Sequence, residues 1–225
     1  MKYGKWIKGL FGPRRLNESE LAWNQSWERA VFALSAEETI DLITRLFENA
    51  GTDLAPFSDE QVAIGLKFVT DTTSGDLMRR IDDRGVSIVK RLAMIQSIYV
   101  LYRDFLALRC ENCPGKESTR PIDIYAYMFW DSGSLCVYSL LKSNDESKDE
   151  LIEAVLEVLE KTLTIPNETC QLAALHGLGH SLFDIDCVPQ WKKRILKAID
   201  EYCKRSNISS ELRKYAKEAR TGMIM

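Results

Sequence analysis

Between residues 148 and 164 the apolar side chains Leu151, Ile152, Val155, Leu156, Leu159 and Leu163 recur at the three-and-four spacing of one helix face, while Glu153, Glu157 and Glu160 fall on the other side. The same period returns along most of the chain, and strand-like alternation is almost absent. The pattern predicts helices near residues 18–34, 36–49, 59–73, 84–109, 122–142, 148–164, 168–183, 189–205 and 209–219. Ser35-Ala-Glu-Glu38, Ser58-Asp-Glu-Gln61 and Ser147-Lys-Asp-Glu150 match the capping box, in which serine and the acid or amide three residues later satisfy each other's orphan backbone donors. Asn17-Glu-Ser-Glu20 is a looser version. The expected fold is all-α, built of stacked antiparallel helix pairs.

The last four helix starts fall at Ser147, Asn167, Pro189 and Ser209, steps of about 20 residues each. Two such steps come close to the period of about 40–47 residues that marks paired-helix solenoids. The N-terminal half loses the regular step, and CENCPGKESTRP at 110–121 separates the halves. The expected organisation is a basic tail over 1–16, a helical half over 17–109, a linker over 110–121 and a second helical half over 122–225, forming one continuous domain.

The stretch 167–183, NETCQLAALHGLGHSLF, gathers Leu172, Leu175, Leu178, Gly179, Leu182 and Phe183 on one side of a helical wheel and Cys170, Ala173, Ala174 and Gly177 on the other. A helix apolar or small on nearly every face belongs in the interior, between neighbours on two sides. This helix resembles the second helix of a HEAT repeat, D-x-x-V-R-x-A-A-x-x-A-L-G. Asn167, Cys170, Gln171, Ala173, Ala174, Gly177, Leu178 and Gly179 occupy the corresponding places. Asn167 and Gln171 stand where the family has aspartate and arginine, so the charged ladder between successive repeats is altered. The resemblance, to the HEAT and armadillo type of helical repeat, covers the C-terminal third. It implies an α-α superhelix whose second helices line a concave face and which binds proteins or sometimes nucleic acid.

Composition is that of an ordinary globular chain, 45% hydrophobic and 28% charged with a net charge of −3. No apolar run approaches the roughly 18 residues that span a bilayer. The N-terminus carries Lys2, Lys5, Lys8, Arg14 and Arg15 without an acid, yet its apolar stretch is too short for a secretory signal, so a cytoplasmic location is expected. Its alternation of bases with Trp6, Ile7, Leu10 and Phe11 suits a short tail or a first turn packed on the body. The cysteines Cys110, Cys113, Cys136, Cys170, Cys187 and Cys203 are spread as reduced thiols, mostly small core residues, would be.

His176 and His180, the only histidines, stand four apart on one helical face, and Asp184 extends the stripe. Two imidazoles and a carboxylate form a metal-ligand set, and Cys110 and Cys113, a C-x-x-C in a Pro/Gly turn, are the alternative partners for a tetrahedral zinc site. The glutamate that a zinc protease needs after its first histidine is Gly177 here, which removes the hydrolytic H-E-x-x-H reading. The competing reading makes both histidines polar members of a packed layer. Asp131, beside Trp130 in the aromatic stretch 122–141, must be hydrogen-bonded, paired or set in a cleft, and is a candidate binding anchor.

Charge is uneven. Residues 145–160 hold seven acids and one base, and 191–220 hold ten bases and four acids. Lys193 and Lys197 share one helix face, as do Arg213 and Lys217 on the next, and such faces suit phosphates. Two histidines on one helix assemble no nucleophile–base pair. The expected function is therefore a non-enzymatic protein-interaction or scaffold module with a protein partner and no cofactor. The alternatives are a nucleic-acid-binding HEAT-like protein of the DNA-glycosylase kind, and a zinc-binding protein through His176 and His180.

Overall fold

Two of the capping boxes close as the residues dictate. The Ser35 hydroxyl accepts the Glu38 N–H at 3.2 Å while the Glu38 carboxylate accepts the Ser35 N–H at 2.9 Å. Ser58 and Gln61 repeat the exchange at 3.2 and 3.0 Å. Ser147 differs: its side chain makes no capping bond, and its backbone N–H donates to Asp145 Oδ1 at 2.9 Å. The Asp145 carboxylate, two residues upstream, accepts the backbone N–H that the Glu150 side chain would take in a capping box.

The computed structural model describes residues 1–12, 16–17, 20–21, 25–112, 118–131, 135, 137–184 and 188–224. The helices are α1 (Tyr3–Phe11), α2 (Gln25–Phe32), α3 (Ala36–Asp53), α4 (Asp59–Thr70), α5 (Ile88–Leu101), α6 (Ala107–Arg109), α7 (Pro121–Met128), α8 (Val137–Lys142), α9 (Lys148–Thr162), α10 (Glu168–Asp184), α11 (Pro189–Cys203) and α12 (Ser210–Ala219). A 3₁₀ segment, Leu77–Asp82, precedes α5, and a π-helical turn, Tyr102–Leu106, joins α5 to α6. The fold is all-α apart from one two-residue ladder, and among the described residues no helix is long and apolar enough to cross a membrane.

The N-terminus and the aromatic stretch depart from the sequence-based expectation. Residues 3–11 form a helix that buries Trp6, Leu10 and Phe11 completely and packs on α4. Their aromatic and aliphatic surface outweighs the basic residues, whose long stems reach water from the helix flank. Asn17 and Glu20 are not a cap: they face each other in the ladder of Leu16–Asn17 with Glu20–Leu21, and α2 starts only at Gln25. The continuous helix expected over 122–142 is two helices, because α7 ends at Met128, just before Asp131-Ser-Gly-Ser, a run of turn formers.

One hydrophobic core runs across both sides of the 110–121 segment. α3 packs on α5, α5 on α9, and α4 on α7, which packs in turn on α10. The start of that segment is bound to the start of α10. Asn167 accepts the Cys170 N–H at 3.1 Å as the helix cap while its amide donates to Ala107 O at 3.2 Å, and Thr169 Oγ1 donates to Glu111 O at 2.6 Å. α10 is the hub, touching α7, α8, α9, α11 and α12, and its residues Cys170, Ala173, Ala174, Leu175 and Leu178 are wholly buried. Arg194 on α11 bridges Glu153 and Glu160 on α9.

Candidate metal centre

His176 and His180 share one face of α10 with ring centroids 4.6 Å apart, as the four-residue spacing requires. Asp131 reaches them from the turn after α7, where its N–H bonds Met128 O at 3.1 Å. Its carboxylate straddles the pair, with Oδ2 3.1 Å from His176 Nε2 and Oδ1 2.6 Å from His180 Nε2. One ligand atom from each of the three side chains lies within 4.8 Å of the others. His176 is 1% exposed, His180 37% and Asp131 25%, so the cluster has a sealed inner side and an accessible outer one.

The close approach to His176 is not a hydrogen bond in direction. Among the described residues its buried Nε2 has no partner in hydrogen-bonding geometry, although Asp131 Oδ2 is within reach in distance. The other ring nitrogen has a partner of its own. His176 Nδ1 stands 2.6 Å from the Tyr215 hydroxyl, which is 3.1 Å from the Tyr127 hydroxyl, and the Tyr127 ring lies 4.3 Å from the imidazole. With the proton on Nδ1 donated to Tyr215, the Nε2 lone pair points into the cluster. A lone pair and a carboxylate oxygen so close repel unless a proton or cation lies between them.

The approach of His176, then of His180, holds the Asp131 carboxyl well below the usual carboxylate range, against the upward push of partial burial. Burial, then the Tyr127 hydroxyl, pushes the Tyr215 phenol far above its ordinary value, so it stays a neutral partner for His176. Burial likewise raises Tyr127.

Packing places these groups. A β-carbon at Gly177 would meet Leu159 Cδ2 at 2.7 Å and Trp130 Cγ at 2.8 Å, so the glycine admits Trp130, and with it the Asp131 turn, against α10. Trp130 is 4% exposed and stacks on Tyr102 at 6.5 Å between centroids. It is a core residue, not a surface anchor.

The remaining candidates lie elsewhere. Cys110 is buried with its thiol 3.8 Å from Ile122 O, and the cluster that forms among the described residues joins the histidines to Asp131 without it. Cys110 and Cys170 are free thiols, and burial pushes Cys170 up to about 12 and Cys110 further. Cys113 and the side chain of Asp184 lie outside the described residues. Arg213 is not free for phosphate: it donates to Cys203 O and, at 2.9 Å, to Arg205 O, closing the end of α11. Lys193, Lys197 and Lys217 are exposed, and Lys197 stands 3.8 Å from Glu201. Tyr127 and Tyr215 were invisible as site residues, since no spacing relates them to the histidine pair.

Comparisons with protein-family models, with curated proteins and with solved structures returned no match.

Proposed function

We propose that this chain binds one divalent transition-metal ion through Asp131, His176 Nε2 and His180 Nε2. The observation that carries this reading is the convergence of three ligand atoms within 4.8 Å around an imidazole nitrogen that no hydrogen bond occupies. Two imidazoles and one carboxylate are the ligand set of catalytic zinc sites and of non-haem iron centres, both of which leave coordination positions for water or substrate. The accessible flank beside His180 suits that use, and a bound ion would act there as a Lewis acid. Tyr215, holding Nδ1, supplies the outer partner that orients a metal-bound histidine.

The helical stack supports a HEAT-type reading of the C-terminal third, with α10 packed on α12 and α9 tied to α11. Yet α10, the helix such a repeat turns to its concave face, is enclosed by α7, α8 and α12. That enclosure shifts the weight from an interaction surface on α10 to the polar cluster beside it.

The test is metal titration of chelator-stripped protein with Zn²⁺, Co²⁺ and anaerobic Fe²⁺, followed by elemental analysis. One ion per chain is expected, lost in His180→Ala and Asp131→Asn. A folded wild-type chain that retains no stoichiometric metal would overturn the proposal.

A further inference from the structure

A cavity of about 360 Å³ opens between α4 and α7, at the small end of the range that ligand pockets span (about 300–1,000 Å³). Its walls are apolar: Ala63, Ile64, Pro121, Ile124, Met128 and Phe129. Ile124 is 47% exposed at the rim, an aliphatic side chain left to water beside a hollow that a ligand would cover. Four polar residues join the lining, Lys67, Thr70, Asp71 and Tyr125, and their hydrogen bonding is uneven.

Asp71 is the fixed charge. It is 9% exposed on its side chain, and Oδ1 accepts both the Thr73 N–H and the Thr73 hydroxyl at 2.7 Å. Among the described residues Oδ2 has a loose ion pair with Lys67 at 3.5 Å, and Lys67 is 57% exposed. The Tyr125 hydroxyl is equally loosely held, 3.5 Å from Thr70 Oγ1, which spends its own proton on Leu66 O at 3.1 Å. The buried acceptor, held by Thr73, is a carboxylate, and among the described residues of the lining the one cation, Lys67, sits on a flexible stem that can swing into water.

We propose that this cavity binds a small molecule with an apolar body and a primary ammonium head, the head on Asp71 Oδ2 in place of Lys67 and the body on Ile64, Ile124 and Met128. An anionic head would instead sit against the Asp71 carboxylate. The proposal does not depend on the metal centre, whose ligands Asp131, His176 and His180 do not line this cavity.

Heptylamine, heptanol and heptanoate share one apolar body and differ in the head, so their binding to the full chain, followed by NMR titration, separates the alternatives. Heptylamine should bind at least about tenfold more tightly than heptanoate. Lys67→Gln, which removes the competing cation from an exposed position, should tighten heptylamine several-fold, and Asp71→Asn should remove the preference over heptanol. Equal or tighter binding of heptanoate, or no binding of heptylamine up to about 10 mM, would overturn the assignment.

Discussion

Gly177 and Trp130 approach so closely that a β-carbon on the glycine would fall 2.8 Å from Trp130 Cγ. The contact sets the distance between α10 and the turn carrying Asp131, and so decides whether one carboxylate reaches two imidazoles.

Gly177→Ala should therefore destabilise the fold even though alanine is the better helix former. Overpacking costs about 1–3 kcal/mol and exceeds the roughly 1 kcal/mol gained in propensity. The same change should weaken metal binding by moving Asp131 off the histidines. A urea unfolding midpoint at or above wild type would contradict the close-packing account.

Tyr215→Phe removes the partner of His176 Nδ1 and little apolar surface. Loss of such an outer hydrogen bond typically costs about 10–100-fold in metal affinity. Competition against a chelator of known affinity reads the change, and unaltered affinity in a folded variant would deny Tyr215 its orienting role.

Arg91 and Asp145 form a buried ion pair, 3% and 6% exposed, between α5 and the segment leading into α9. Arg91→Met should cost about 3–5 kcal/mol, because it strands a buried carboxylate. Burial pushes the Asp145 carboxyl up, but the bonds from Arg91 and the Ser147 N–H and the charge of Arg84 together bring it below its ordinary value. A carboxyl lowered by folding adds stability above its unfolded pKa and loses it as pH falls through the native value. The gap between wild type and Arg91→Met should thus be full at neutral pH and close below about pH 4. A gap independent of pH would show that the charge pair is not its source.

Ser58→Ala deletes a formed cap and should cost about 1 kcal/mol. Ser147→Ala should stay within about 0.5 kcal/mol, since the bond at that helix start is made by a backbone N–H that alanine retains. Equal losses in denaturant titrations of the two variants would contradict the difference between these helix starts.

The sequence by itself determined most of the helices. Periodicity over Leu151–Leu163 and the boxes at Ser35 and Ser58 involve groups within a turn or two of each other, and local interactions of that range are written in consecutive residues. It also placed His176 and His180 on one face, because a four-residue spacing is itself helix geometry. It marked Asp131 as an acid in need of a partner without giving the partner's identity. The break between α7 and α8 was masked by the aromatic run around it. The tertiary structure alone brought Asp131, Tyr127 and Tyr215 to the histidines, through a close approach at Gly177 and the packing of α12 on α10. Contacts between residues 39 or more positions apart depend on how whole helix faces fit together, a property no short window of sequence contains.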